Sequence, residues 1–192
     1  HVAVRRQRQM CIRDRDKPIF EIKDVSKSFD GRPILKKLSI KVFPGECVGV
    51  LGPNGCGKTT LFSMCIGEQN TDSGKIYLNN KSIEQIPIHL RSKEGLGYLP
   101  QQRSVFDMSV YDNILGIAQV SINGQDNQKA ITEKLLDEFN LQHLRTLNAS
   151  VLSGGDIRRL MMARIMINKP KIVLLDEPLA ALDPLVIQDI QK

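Results

Sequence analysis

The sequence predicts an α/β fold with an antiparallel β piece on its N-terminal side and a mainly helical insertion. Three observations predict it. Residues 46–51 form a short apolar run that reads as a buried strand, and a glycine-rich loop follows before residues 61–66 continue as a helix. A second apolar run, residues 172–175, ends in the carboxylate of Asp176. Between the two, from Ser109 to about Asn168, the periodicity turns helical: Ile131, Leu135, Leu136 and Phe139 share one helix face.

In chain order, residues 19–25 alternate as a strand should, and Asp30-Gly31 is a hairpin signal before residues 34–42. Pro44-Gly45 turns the chain into the first apolar run. Residues 72–74 read as a turn and 75–78 as a further strand. Residues 97–100 read as a strand closed by a proline, and the helical insertion covers approximately residues 102–160. Residues 121–127 are the one stretch with linker character, residues 171–175 return to a buried strand, and no internal repeat is visible.

Composition bounds the class. A chain of 192 residues with 41% hydrophobic and 25% charged residues suits one globular domain with a sizeable core. No apolar run approaches the length that crosses a bilayer, and no apolar stretch follows the basic N-terminus as in a signal peptide. A membrane role is therefore expected to come through a partner. Six basic residues against two acidic ones give the first 17 residues a charge of +4, which leaves +2 for the other 175. The basic balance belongs to the tail, and no nucleic-acid-binding face is expected. Cys11, Cys47, Cys56 and Cys65 lack C-x-x-C spacing and read as free thiols of a reducing compartment.

Both ends stand apart. Residues 1–17 show neither helical period nor strand alternation, and residues 10–15 resemble translated sequencing-adapter readthrough. They are expected to be a disordered or non-native tail, with the domain proper at residues 18–192. The chain stops at Lys192 inside an apparent helix that starts near Pro184, so a C-terminally truncated domain is expected.

The chemistry begins at residues 52–60, GPNGCGKTT, with the spacing G-x-x-x-x-G-K-T of a phosphate-binding loop. Glycines let the backbone curl so that successive N–H groups face one anion, and the helix that begins there adds its positive end. The candidate nucleotide contacts are Asn54, Gly55, Cys56, Gly57, Lys58, Thr59 and Thr60. Lys58 is expected on the β- and γ-phosphates of ATP, and the Thr59 hydroxyl on Mg²⁺. The bland alternative, a glycine-rich turn, lacks a reason for the strand before the loop and the helix after it. Asp176, at the tip of its apolar run, is expected to hold Mg²⁺ through water, and Glu177 next to it is the candidate general base for the attacking water. Ser153-Gly154-Gly155-Asp156 precedes a helical run. Ser153 and Asp156 alone resemble a capping box, but two glycines expose backbone N–H groups as an anion site does.

The phosphate loop, the sequence LSGG and the apolar run ending in Asp176-Glu177, in this order and spacing, resemble the ABC ATPase family over roughly residues 19–192. The resemblance implies a P-loop NTPase fold of the ABC type. It implies ATP hydrolysis by two such domains paired head to tail, here most simply a homodimer, and coupling to transmembrane permease subunits at the cytoplasmic face of the inner membrane. Ser153, Gly154 and Gly155 are then expected to close over ATP held by the second ATPase subunit. Gln101 fits the family's Q-loop glutamine, in contact with Mg²⁺ or the attacking water, and Phe29 fits the aromatic that stacks on adenine. A hairpin-core aromatic is an equally fair reading of Phe29. Residues 181–183 fit the family's D-loop.

Two departures stand out. Asp156 replaces the usual Glu or Gln, and its shorter carboxylate suggests a weaker cap. The family's switch histidine follows the D-loop by a further helix and strand, and this chain ends first; His1, His89 and His143 lie upstream. MgATP binding with poor or no hydrolysis is therefore expected of this chain. Residues 97–114 and 138–145 resemble the ATPases of lipopolysaccharide exporters, in which the region after the Q-loop forms a groove for a helix of the membrane subunit. Phe106 and Tyr111 are candidates to line it, with packing inside the helical part as the alternative for Tyr111. ATPases of branched-chain amino-acid importers are the nearest rival. DNA-repair and ribosome-associated ABC proteins are disfavoured by the short gap between loop and LSGG and by the single domain copy.

Overall fold

In the computed structural model, residues 17–176 and the backbone of residues 3–7 are described. Glu177 and the D-loop residues 181–183 lie outside the described residues. The chain divides into two compact units, residues 1–96 and 97–192.

The first unit is led by an antiparallel sheet. β1 (Ala3–Gln7) pairs elsewhere; β2 (Phe20–Phe29) and β3 (Arg32–Val42) form the expected hairpin. Asp30 and Gly31 at its tip both have positive φ, 49° and 75°, as a type I′ turn requires. β4 (Cys47–Leu51) and helix α1 (Lys58–Ile66) follow, then β5 (Ser73–Leu78), β6 (Lys81–Ser82) and α2 (Ile88–Glu94). The sheet order is β3-β2-β5-β6, with Phe20 opposite Val42 on one side and Leu78 on the other. Period-2 alternation sends Phe20, Ile22, Leu35, Ile40, Ile76 and Leu78 into the core.

Three expectations are corrected here. Residues 73–74 belong to β5 rather than to a turn: Gly74, at φ 87°, lies against a bulge in β2, where a Cβ would stand 2.4 Å from the Asp24 carbonyl oxygen. Glycine is there for close approach between strands. The strand before the phosphate loop is not buried: Cys47, Gly49 and Leu51 are exposed. Apolar character marks what a strand can bury, but burial needs a layer over each face. The tail offered no strand signal, yet Ala3–Gln7 pairs antiparallel with β4, from Ala3 opposite Leu51 to Gln7 opposite Cys47. Backbone pairing asks little of side-chain pattern.

The second unit holds β7 (Leu96–Leu99), α3 (Val110–Ser121), α4 (Gln125–Glu138), α5 (Gly154–Met166) and β8 (Ile172–Leu175). Strands β7 and β8 pair. Gly97 lets α5 come close, since a Cβ there would lie 2.7 Å from Ile165 Cγ2. The helices close on a core that includes Ile114, Leu136, Leu141 and Leu160, all fully buried, with Ile131 and Phe139 packed against it. The helical expectation for this stretch holds, but the expected linker at residues 121–127 is shorter. Gln125 already begins α4, whose start is shaped by Gly124 at φ 86° and by the Gln128 side chain donating to the Ile122 carbonyl at 2.7 Å. The antiparallel sheet and helical segment make the mixed α/β architecture that the sequence predicts.

Candidate functional site

The phosphate loop connects β4 to α1. Gly55 and Gly57 have φ of 79° and 100°, a region that favours glycine. At Gly57 a Cβ would also stand 2.7 Å from Ile34 Cγ2, so the curl depends on the bare backbone. Gly57 is the N-cap of α1 and makes no side-chain cap, and the first turn carries no acidic residue. The first-turn amides therefore have no intrahelical acceptor and face a positive dipole end with no carboxylate competing for them. Lys58 folds back into the loop, its Nζ donating to the Gly52 and Pro53 carbonyls at 2.8 and 3.0 Å. An ammonium held only by carbonyls can turn to a phosphate when one arrives. Asn54, Gly55 and Thr59 are exposed, and Cys56, Lys58 and Thr60 are partly buried. These residues fit a polyphosphate.

Behind the loop, α1 is fixed by a residue the sequence reading missed. Arg91, 4% exposed, donates to the Met64 and Cys65 carbonyls at 2.9 and 2.8 Å and to those of Ile86 and Glu84. Its guanidinium occupies the negative end of α1. Burial pushes the neighbouring Cys65 thiol up to about 12, with Arg91 pulling against it, so this cysteine stays a thiol. No local pattern announces this role of Arg91, because its partners on α1 lie more than 20 residues away.

Phe29 ends β2 at the hairpin tip and is 42% exposed, so it is no hairpin-core aromatic. The Lys27 ammonium sits 5.5 Å from its ring centroid. Lys27 is itself held by Asp72, which also accepts from the Ser28 N–H at 2.7 Å.

In the second unit, Asp176 follows β8 and is 3% exposed, and its N–H donates to the Leu99 carbonyl at 3.0 Å. Gln101, just past β7, is exposed. The described residues contain no cluster of three or more His, Cys, Asp or Glu able to hold a metal alone. Mg²⁺ keeps several waters and shares phosphate oxygens rather than filling a protein cage, so a lone carboxylate such as that of Asp176 is a donor of the kind it takes.

The signature stretch forms the N-terminus of α5. Ser153 is the N-cap: its Oγ accepts from the Asp156 N–H at 3.2 Å and donates to Asp156 Oδ2 at 2.5 Å. Arg159 holds the other carboxylate oxygen of Asp156. The expectation of a weak cap is thus corrected, because the shorter side chain closes onto the hydroxyl and takes an arginine as well. Burial pushes the Asp156 carboxyl up, but the hydrogen bonds from Ser153 and Arg159 outweigh it and hold the group below the usual carboxylate range. Gly154 and Gly155 open the helix beyond this cap.

After the Q-loop position, Phe106 is 45% exposed, with the Arg164 guanidinium 4.5 Å over its ring. Asn113, fully buried, accepts from the Phe106 N–H and donates to the Phe106, Met108 and Ser109 carbonyls. Tyr111 packs against the core of the helices, with Arg145 5.1 Å from its ring centroid. His89 and His143 are exposed, and Cys47, Cys56 and Cys65 are free thiols.

The fold and the loop at α1 define a P-loop nucleotide-binding domain. The sequence profile of the ABC transporter family matches residues 35–180. The lipopolysaccharide export system ATP-binding protein LptB of Escherichia coli (strain K12) is 40% identical over 173 residues, which covers 88% of this chain and 71% of that protein. The protein of the same name from Haemophilus influenzae is 39% identical over 178 residues, 91% of this chain and 73% of its own. Among solved structures, cbiO1 of Clostridium perfringens, part of the ABC transporter complex cbiONQ, matches with a TM-score of 0.80 at 27% identity, covering 91% of this chain and 71% of that one. The chain belongs to the ABC transporter family, as an ATP-hydrolysing subunit of the kind that couples hydrolysis to transport. Among the described residues no helix is long and apolar enough to cross a membrane.

Proposed function

We propose that this chain is the ATPase subunit of a lipopolysaccharide exporter, bound to the cytoplasmic face of the inner membrane through permease subunits. The observation that carries the ATP-binding part is the uncapped N-terminus of α1, with Lys58 folded into a loop whose curl depends on Gly55 and Gly57. The 40% identity to LptB over most of the chain supports the choice of cargo.

In this reading Asn54 to Thr60 wrap the phosphates of ATP, and Lys58 leaves its carbonyls for the β- and γ-phosphates. Phe29 supplies the face on which adenine stacks. Mg²⁺, when bound, neutralises charge building on the phosphoryl oxygens. The Thr59 hydroxyl, the Asp176 carboxylate and the Gln101 amide would hold that ion, and Glu177 would take the proton of the attacking water. Ser153, Gly154 and Gly155 of one copy close on the γ-phosphate held by a second copy, so two ATPase subunits work as a head-to-tail pair. Preorganised donors around the phosphoryl group provide the largest catalytic effect. Residues 1–17 have, in this proposal, no part in the reaction.

The test is complementation. Residues 18–176 of this chain, continued by the corresponding C-terminal part of the Escherichia coli protein, replace LptB in a depletion strain. Restored growth supports lipopolysaccharide export. Failure by a hybrid that still hydrolyses ATP assigns the chain to another ABC transporter, such as a branched-chain amino-acid importer.

A further inference from the structure

Arg158 lies on α5 just beyond the signature glycines, beside the buried Ile157, and is itself only 8% exposed. A guanidinium taken out of water is costly unless its donors are received. Backbone carbonyls among the described residues accept from this one: Nη1 donates to Pro100 at 2.7 Å and Nη2 to Asp176 at 3.4 Å. These are not arbitrary peptide units. Pro100 directly precedes Gln101, and Asp176 both carries the candidate metal carboxylate and directly precedes Glu177. The ends of β7 and β8 are already joined by the Asp176 N–H to the Leu99 carbonyl at 3.0 Å. One side chain of the signature helix thus grips the C-terminal ends of both strands, from which the proposed metal- and water-handling residues emerge. Arg91 is equally buried but spends its donors on the end of α1 and the turn before α2, as a helix cap does.

We propose that Arg158 is a positioning residue: its planar fork fixes the peptide units of Pro100 and Asp176 and so sets the Asp176 carboxylate and Gln101 for the divalent metal of a bound nucleoside triphosphate. The proposal rests on the nucleotide-binding reading above. Lysine cannot replace the fork, because an ammonium on a flexible stem acts as a point charge. Groups that support metal ligands in this way are worth on the order of 10–100-fold in metal affinity or activity.

The test uses the full chain saturated with ATP, with Mn²⁺ as the probe read by electron paramagnetic resonance. Metal-free ATP affinity is measured alongside, and circular dichroism checks the fold. Arg158→Lys and Arg158→Gln are compared with Arg145→Gln, which breaks the Glu133 ion pair in the same unit away from the strand ends. The expected result is a loss of about 10-fold or more in Mn²⁺ affinity for both Arg158 variants, unchanged metal-free ATP affinity, and wild-type behaviour for Arg145→Gln. Wild-type Mn²⁺ affinity in folded Arg158→Lys and Arg158→Gln overturns the proposal. So does an equal loss in Arg145→Gln, which marks a general structural effect. A wild-type chain that is folded yet binds no ATP instead overturns the functional reading itself.

Discussion

Two helix N-termini in this protein start from glycine-rich sequence, and they are dressed in opposite ways. At α1 the N-cap is Gly57, no side chain caps it, and no carboxylate sits in the first turn. At α5 the N-cap is Ser153, whose hydroxyl is bonded to Asp156, which in turn holds Arg159. The first end has orphan amides and a nearby ammonium with only carbonyls for company, so it is prepared for an outside anion. The second satisfies its own first turn and carries an internal negative charge. An anion approaching α5 must compete with Asp156 for the Ser153 hydroxyl. Glycine spacing identifies both as possible anion sites, but side-chain chemistry decides which can bind without help. In the proposed head-to-tail pair this asymmetry has a use: α1 loads ATP within one chain, and α5 engages only a phosphate already held by the partner.

The contrast can be broken most sharply at Lys58. Lys58→Ala removes the ammonium folded into the open end, and MgATP affinity is expected to fall by roughly 1.5–3 kcal/mol, the worth of charged hydrogen bonds; isothermal titration measures it. An unchanged affinity would place the nucleotide elsewhere. Cysteine labelling gives the next largest effect. Cys56, partly exposed in the loop, is expected to react with maleimide and to be shielded by MgATP, while Cys65 beneath Arg91 stays unlabelled in both conditions. Equal labelling of Cys56 with and without nucleotide contradicts occupancy of the loop.

Ser153→Ala sharpens the other side. Loss of the N-cap is expected to cost about 1 kcal/mol of stability, seen in thermal melting, and to leave MgATP binding by the single chain unchanged. Reduced binding would mean that α5 serves the same chain's nucleotide. The smallest effect is a pH slope. Asp156 is held below the usual carboxylate range in the fold, so its contribution is fully present above that range and is lost as pH falls through the lowered value. Arg159 and His143 supply the facing positive charge. Melting temperature is expected to fall on acidification below about pH 4 less steeply in Asp156→Asn than in wild type.

Legibility in the sequence followed the range of the physics. The β2–β3 hairpin could be read because alternation and an Asp-Gly turn are local properties, and the phosphate loop because glycine, lysine and threonine act at fixed spacing. The Ser153–Asp156 box was visible as a spacing, but its strength was not, since Arg159 had to be found across a helical turn. Helix α2 was missed: it is seven residues long and starts at Pro87 without a side-chain cap. The exposure of β4 was missed because hydrophobic content says nothing about what covers a strand. Arg158 and Arg91 were out of reach because their partners are backbone carbonyls, which every residue carries. An arginine next to Ile157 on the buried side of α5 was the only available hint.

The most direct measurement is equilibrium titration of the purified chain with MgATP, with circular dichroism on the same sample. Saturable binding of one nucleotide per chain, abolished or strongly weakened by Lys58→Ala, is the predicted result. A natively folded chain that binds no MgATP, or binds it equally well without Lys58, would contradict the assignment of the open helix end as the nucleotide site.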